Sequence, residues 1–189
     1  VRRTSGGPWS AAPTHLVAHV GTAAVPVRLR PFDDDHGRLT LDRRLPLVFG
    51  DRLVLRDPGS VRILGGAEVL DAEPPALRRR GDSGRRAAVL ALSEPGGDVE
   101  AEVARRGAVR ETHLRRLGLL PHTVPGQVLV VDGWWVHGPT HETWQRRLRA
   151  AVDDLAARDP LADGLSRGAA RDLLALPDEA LLDDVARAA

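Results

Sequence analysis

The sequence predicts an α+β protein of more than one domain: a small antiparallel β-barrel followed by winged-helix domains. Three observations carry this. From Leu16 to Pro75 apolar residues tend to recur at every second position, the period of a strand. Beyond Arg78-Arg79-Arg80-Gly81 they recur every three or four, the period of a helix. After two short helical stretches, Gln127-Val128-Leu129-Val130-Val131, Asp132-Gly133 and Trp134-Trp135-Val136 spell a strand, a two-residue turn and a second strand. The expected domains are 1–77 (barrel), 78–158 (winged helix) and 159–189 (the opening helices of a second, truncated winged helix).

Within the barrel, Val25, Val27 and Leu29 alternate with Pro26, Arg28 and Arg30, and Leu39 and Leu41 alternate with Arg38, Thr40 and Asp42. Asp33-Asp34-Asp35-His36-Gly37 lies between them as a turn and makes the pair a hairpin. Its three acids resemble a calcium loop, but no Glu stands at the twelfth loop position, so they read as a solvated hairpin tip. A further strand, Arg52–Arg56, meets the turn Asp57-Pro58-Gly59-Ser60 and returns through Val61–Leu64 and Val69-Leu70. Gly65-Gly66 interrupts that return, the mark of a bulge or of another backbone close by. Pro74-Pro75 closes the module.

A helix is predicted over Arg85–Ser93, stopped by Pro95-Gly96-Gly97. The next starts on Asp98 as N-cap, carries Glu100 and Glu102 where the helix dipole favours anions, and ends on Gly107. A short helix with Leu114 and Leu117 on one face ends at Gly118, which makes the two a helix-turn-helix candidate. Thr140 is the expected cap of a longer helix bearing Trp144, Leu148, Val152 and Leu155, ended by Asp159-Pro160. Ser166 caps a helix through Leu174, and Pro177-Asp178-Glu179 starts another with Pro in its first turn and Leu181, Leu182 and Val185 as its apolar face.

Composition excludes several chemistries. The 189 residues carry 27 basic side chains, all Arg, against 26 acidic ones, with no Cys, Met or Tyr. Without Cys there is no disulfide framework, thiol nucleophile or Cys-ligated metal cluster. Without Lys there is no Schiff base and no phosphate loop ending in Gly-Lys-Ser/Thr. No Ser lies in a Gly-x-Ser-x-Gly elbow. No apolar run nears the roughly 20 residues of a membrane span, and the first residues lack a signal-peptide core, so a cytoplasmic protein is expected. Lacking Met even at position 1, the chain reads as a piece of a longer or processed protein. The net charge of +1 divides into about +4 over 1–80, +2 over 81–149 and −5 over 150–189, a basic front and an acidic tail.

Candidate sites are few. His137 and His141 are four apart, but Gly138-Pro139 between them is expected to break a shared helix, leaving ordinary exposed or capping roles and no metal site. Of Trp134 and Trp135, on alternate faces of a strand, one is expected in the core and the other over the helix containing Trp144. Arg110, Arg115 and Arg116 sit where a nucleic-acid reader would touch phosphate, yet a module charge near +2 favours a solvated face. Arg56 and Arg62 flank the Asp-Pro-Gly turn beside Gly65-Gly66. Arg grips phosphate through two hydrogen bonds and Gly admits a close backbone, though pattern alone favours a structural bulge over a binding loop.

Together, His19–Val25, Arg38–Leu41, Gly50–Gly59, Gly65-Gly66 and Val69-Leu70-Asp71 resemble the third domain of the bacterial selenocysteine-specific elongation factors, relatives of elongation factor Tu. Ala104–Val109, Gly164-Leu165-Ser166 and Leu176-Pro177-Asp178 resemble the winged-helix extension that follows in that family. The resemblance implies an amino-terminal GTP- and magnesium-binding domain outside this chain, barrels that hold selenocysteinyl-tRNA, and final winged helices that bind the selenocysteine insertion hairpin of the mRNA. It selects Arg56, Arg62, Gly65 and Gly66 as RNA-binding residues and does not extend to Arg110, Arg115 and Arg116. It implies a non-catalytic, cytoplasmic, monomeric segment that works with the tRNA and the ribosome, with no cofactor, metal site or catalytic residue of its own. The alternatives are a winged-helix DNA-binding regulator with a β-barrel sensor domain and a purely structural interaction module.

Overall fold

Alternation in the first half builds one antiparallel sheet. The computed structural model describes residues 1–60, 62–94 and 96–189; Val61, expected to open the return strand, and Pro95, expected to stop a helix, lie outside the described residues. The strands β1 (Arg2–Gly6), β2 (His15–Val20), β3 (Ala23–Pro31), β4 (Gly37–Leu41), β5 (Arg52–Arg56) and β6 (Ile63–Glu68) run in the order β1-β6-β5-β2-β3-β4. Register places Leu16 opposite Val27 and Ala18 opposite Val25, so these side chains point inward with Trp9, Leu29, Leu53, Leu55, Ala67 and Val69 as the core. The sheet's two edges meet at one corner, where Arg3 N donates to Asp35 O (2.7 Å) and Gly37 N to Val1 O (3.1 Å).

Strand β1 is absent from the sequence reading, because Arg2-Arg3-Thr4-Ser5-Gly6 has no apolar alternation. Tertiary bonds hold it instead. Arg2 pairs with Glu68 at 2.7 Å, and Arg3 with Asp35 of the 33–36 tip. In that tip Asp33 Oδ1 accepts from the backbone N–H of Asp35 (2.8 Å) and His36 (2.6 Å), and Asp34 accepts from Ser10. Desolvation raises the Asp33 pKa, but the backbone hydrogen bonds and the His36 ring outweigh it and hold the carboxyl below its usual range.

Helix α1 (Asp82–Ala91) belongs to this first unit, which comprises Val1–Asp98 and Arg116–Leu119. Thus the boundary expected at 77 is not where the chain divides. Asp71 pairs with Arg86, the two side chains only 4% and 13% exposed, and Ala87 and Leu90 are buried. A buried ion pair broken on one side leaves an uncompensated charge, so removal of either partner would loosen the helix. The helix starts at Asp82, before the expected Arg85, because Gly81 turns the chain at φ 85° and the Asp82 carboxylate accepts from Arg78 N (2.8 Å) and Arg79 N (2.7 Å).

The second unit, Val99–Arg115 with Leu120–Ala189, holds α2 (Val99–Arg106), β7 (Ala108–Arg110), most of α3 (Glu111–Arg116), β8 (Val128–Val131), β9 (Trp134–His137), α4 (Gly138–Arg158), α5 (Arg167–Leu174) and α6 (Leu182–Ala188). Its sheet runs β7-β9-β8. The turn of the expected helix-turn-helix is the strand β7: Gly107 ends α2 at φ 77°, and Val109 then pairs with Trp135. Asp132 and Gly133 both take positive φ (46° and 74°), as a two-residue hairpin turn demands. Trp134 and Trp135 are both buried; Trp134 packs in the core with Trp144, and Trp135 is buried on the other face of the strand.

Two helix starts, the placement of His141 and one boundary depart from expectation. Gly138-Pro139 initiates α4 rather than breaking it, because a proline in the first turn gives up an N–H that would have no helical partner. His137 takes the N-cap position with Nδ1 3.1 Å from Thr140 Oγ1, so Thr140 lies inside the helix. His141, expected exposed or capping, is 6% exposed on the face that α6 covers, with Nε2 2.9 Å from Asp184 Oδ2. Pro177 precedes the cap, Asp178, whose carboxylate accepts from Ala180 N at 3.0 Å. Finally, Ala170, Leu174, Leu176, Leu181, Leu182 and Val185 share one core with Ala108, Trp134, Val136, Trp144 and Leu148. Residues 159–189, expected to open a second winged helix, therefore pack into the core of this unit. Among the described residues no helix is long and apolar enough to cross a membrane.

Candidate nucleic-acid interface

Arg56 ends β5. With Leu53 and Leu55 turned into the core, Arg52, Val54 and Arg56 face outward. Arg56 stands opposite Val17 on β2 and Ile63 on β6, and the β5–β6 ladder slips between Leu55 and Arg56. The connecting turn is closed by its own side chains: Asp57 Oδ1 accepts from Gly59 N (3.0 Å) and Ser60 Oγ from Arg62 N (3.3 Å). Asp57 N also donates to Arg62 O at 3.3 Å. The turn thereby holds Arg56, half-buried, and Arg62, exposed, at its two feet. Among the described residues neither guanidinium pairs with a carboxylate, whereas Arg2, Arg3, Arg86, Arg105, Arg110 and Arg167 all do.

Gly65 and Gly66 lie on β6 between β5 and β1. The backbone that comes close to them is β1. A β-carbon on Gly65 would sit 2.2 Å from Ser5 O, and one on Gly66 2.5 Å from Thr4 Oγ1. Gly66 N donates to Ser5 Oγ at 2.9 Å. All four predicted residues thus meet in one hairpin, with the glycines facing protein and the arginines facing outward.

Strand order adds residues that sequence reasoning left out. Val17 on β2 pairs with both Arg56 on β5 and Pro26 on β3. The outer face therefore runs from Arg56 across β2 to Arg28 and Arg30, both exposed because Val27 and Leu29 take the inward positions. Neither guanidinium has a carboxylate partner among the described residues. His15 pairs with Arg28 across the ladder and shares that face. The alternation Val25–Arg30 already placed these side chains opposite the core; what it lacked was the neighbour of each strand.

Arg110 and Arg115 are engaged within the protein. Arg110 lies on β7, its guanidinium 4.4 Å from the Trp134 ring centroid and hydrogen-bonded to the Asp178 carboxylate. The backbone N–H of Ala180 above all, and Arg110 after desolvation is set against it, hold the Asp178 carboxyl below its usual range. Arg115 pairs with Glu111 at 2.8 Å along α3.

Residues 10–76 match the β-barrel domain family of selenocysteine-specific elongation factors. A comparison with curated proteins finds no match. Among solved structures, a crystal structure of the bacterial selenocysteine-specific elongation factor EF-Sec aligns with 97% of this chain at TM-score 0.69 and 18% identity. That likeness is one of fold, and the chain covers 31% of the EF-Sec chain. The family match encloses β2 to β6 with the Arg56–Arg62 turn, and β1 lies outside it. The likeness of this chain to the selenocysteine-specific elongation factors thus rests on its barrel, residues 10–76, which matches their β-barrel domain.

Proposed function

We propose that the barrel helps hold selenocysteinyl-tRNA, and that the second unit, read as a winged helix, links it to the mRNA-hairpin-binding end of a longer cytoplasmic, monomeric factor. That factor would deliver the tRNA to the ribosome, with GTP and magnesium bound in another domain. The observation that carries the proposal is that Arg56 and Arg62, neither paired with a carboxylate among the described residues, stand at the two feet of one closed turn. Each can grip a backbone phosphate through two parallel N–H bonds, and Arg28 and Arg30 extend the same outer face. Contacts of this kind position an RNA without reading its sequence. Gly65 and Gly66 contribute by letting β1 lie flat against β6, which supports the turn from below. A DNA-binding regulator has less support, since Arg110 and Arg115 are engaged by Asp178 and Glu111.

The test is anisotropy titration of a selenocysteine tRNA transcript with this chain across a salt series. Arg56→Ala combined with Arg62→Ala should weaken binding and reduce the log–log salt slope by about one for each phosphate no longer neutralised. Unchanged affinity together with an unchanged slope would refute the assignment.

A further inference from the structure

Beneath the Asp57–Ser60 turn the mouth of the barrel opens into a cavity of about 350 Å³. Its floor is apolar and firmly packed: Trp9, Leu16 and Leu55 are each at most 3% exposed, and Leu64 completes the wall. Asp57 and Arg62 stand at its rim. Asp57 Oδ1 is committed to Gly59 N at 3.0 Å, while among the described residues Oδ2 has no partner. Among the described residues the rim thus offers one carboxylate oxygen without a partner and one guanidinium without an ion pair, over an apolar floor.

We infer that this cavity receives a single unstacked base of the RNA held on the barrel. The inference rests on the RNA-binding reading above. A base has apolar faces for the floor and N–H donors on its edge for Asp57 Oδ2, and it is tethered to a phosphate within reach of Arg62. An apolar protein side chain would fill the floor but leave both rim groups desolvated and unpaired, which is unfavourable. A base drawn from a helix would first have to leave its stack, so the nucleotide belongs to a loop, bulge or single-stranded end, where proteins usually read RNA. Bases with an exocyclic amino group suit the carboxylate better than uracil.

Ala11, exposed on the 3-10 turn Trp9–Ala11, lines the cavity and can be enlarged without disturbing the core. Ala11→Trp should lower affinity for the tRNA transcript by about tenfold, within the range for loss of one stacked base. The salt slope should stay as in the wild type, because the phosphate-binding arginines are untouched. Asp57→Asn, which keeps the Gly59 acceptor and replaces the free oxygen by an NH2, should weaken binding comparably. In NMR titrations of the same chain, GMP, AMP and CMP should shift the Trp9 indole and Gly65 amide signals, UMP least, and none should do so in Ala11→Trp. Undiminished affinity in Ala11→Trp, with the salt slope still set by Arg56 and Arg62, would overturn the base pocket and leave the RNA reading standing. Loss of the arginine dependence as well would sink both. If N-acetylphenylalaninamide shifts Trp9 and no mononucleotide does, the cavity takes a protein side chain and the inference is wrong.

Discussion

Replacing Gly65 by alanine decides whether that glycine serves β1 or the RNA. The new β-carbon would lie 2.2 Å from Ser5 O and 3.1 Å from Gly6 Cα, where ordinary contacts begin at 3.4 Å. Strand β1 would have to withdraw by roughly 1 Å. That shift is enough to break the 2.9 Å bond from Gly66 N to Ser5 Oγ. Forcing a methyl into a packed site costs about 1–3 kcal/mol, and the lower entropy of an unfolded alanine returns about 0.4–1 kcal/mol. The net loss of about 1–2 kcal/mol falls on β1, so amide hydrogen exchange over residues 2–6 should accelerate about 5–30-fold. Exchange in β2 and β3 should hardly change. Gly126 has nothing within 4 Å of its β-carbon position, and Gly126→Ala is the neutral control. If residues 2–6 keep their protection in Gly65→Ala, the close approach has been misread. If they keep it while RNA binding disappears, the glycine belongs to the RNA interface.

Two further outcomes test the second unit. Leu174 is 1% exposed in the core it shares with Trp134 and Trp144, so Leu174→Ala should cost about 2–5 kcal/mol and speed exchange throughout α4; exchange changes confined to residues 159–189 would restore them as a separate module. Hydrogen bonds from Ala180 N and Arg110 depress the Asp178 pKa, and those from Arg167 depress that of Asp183. Depressed carboxyls stabilise the fold above their unfolded value of about 3.9, and that contribution disappears as pH falls through the lower folded values. Protection of α5 and α6 should therefore hold at about pH 5 and decline below about pH 4, less steeply in Asp178→Asn; a decline that begins near neutrality would contradict the assignment.

Much of the barrel was legible because a half-buried strand writes its burial into every second residue. Val25, Val27 and Leu29 gave the face of β3, and Asp57-Pro58-Gly59-Ser60 gave the turn that holds Arg56 and Arg62. Helix ends were legible where a local cap sets them, as at Ser166 and Gly107. Gly138-Pro139 was misleading because the same dipeptide both stops and starts helices, and only the strand ahead of it decides which. His141 gave no signal of burial, since its partner Asp184 lies 43 residues away.

The sequence by itself determined which residues of the strand β3 face inward, where the hairpin turns lie, and that a pair of arginines brackets one of them. Those properties depend on neighbours a few positions apart. Only the tertiary structure decided that a polar pentapeptide becomes β1, that it lies close against Gly65 and Gly66, and that the last thirty residues pack into the core of the second unit. These depend on pairings between residues far apart in the chain, such as Arg2 with Glu68, Ser5 with Gly66, and Leu174 and Val185 with Ala108 and Trp134. Period and capping cannot encode such pairings, because their free energy comes from surfaces and hydrogen-bonding groups that meet only after the chain has folded.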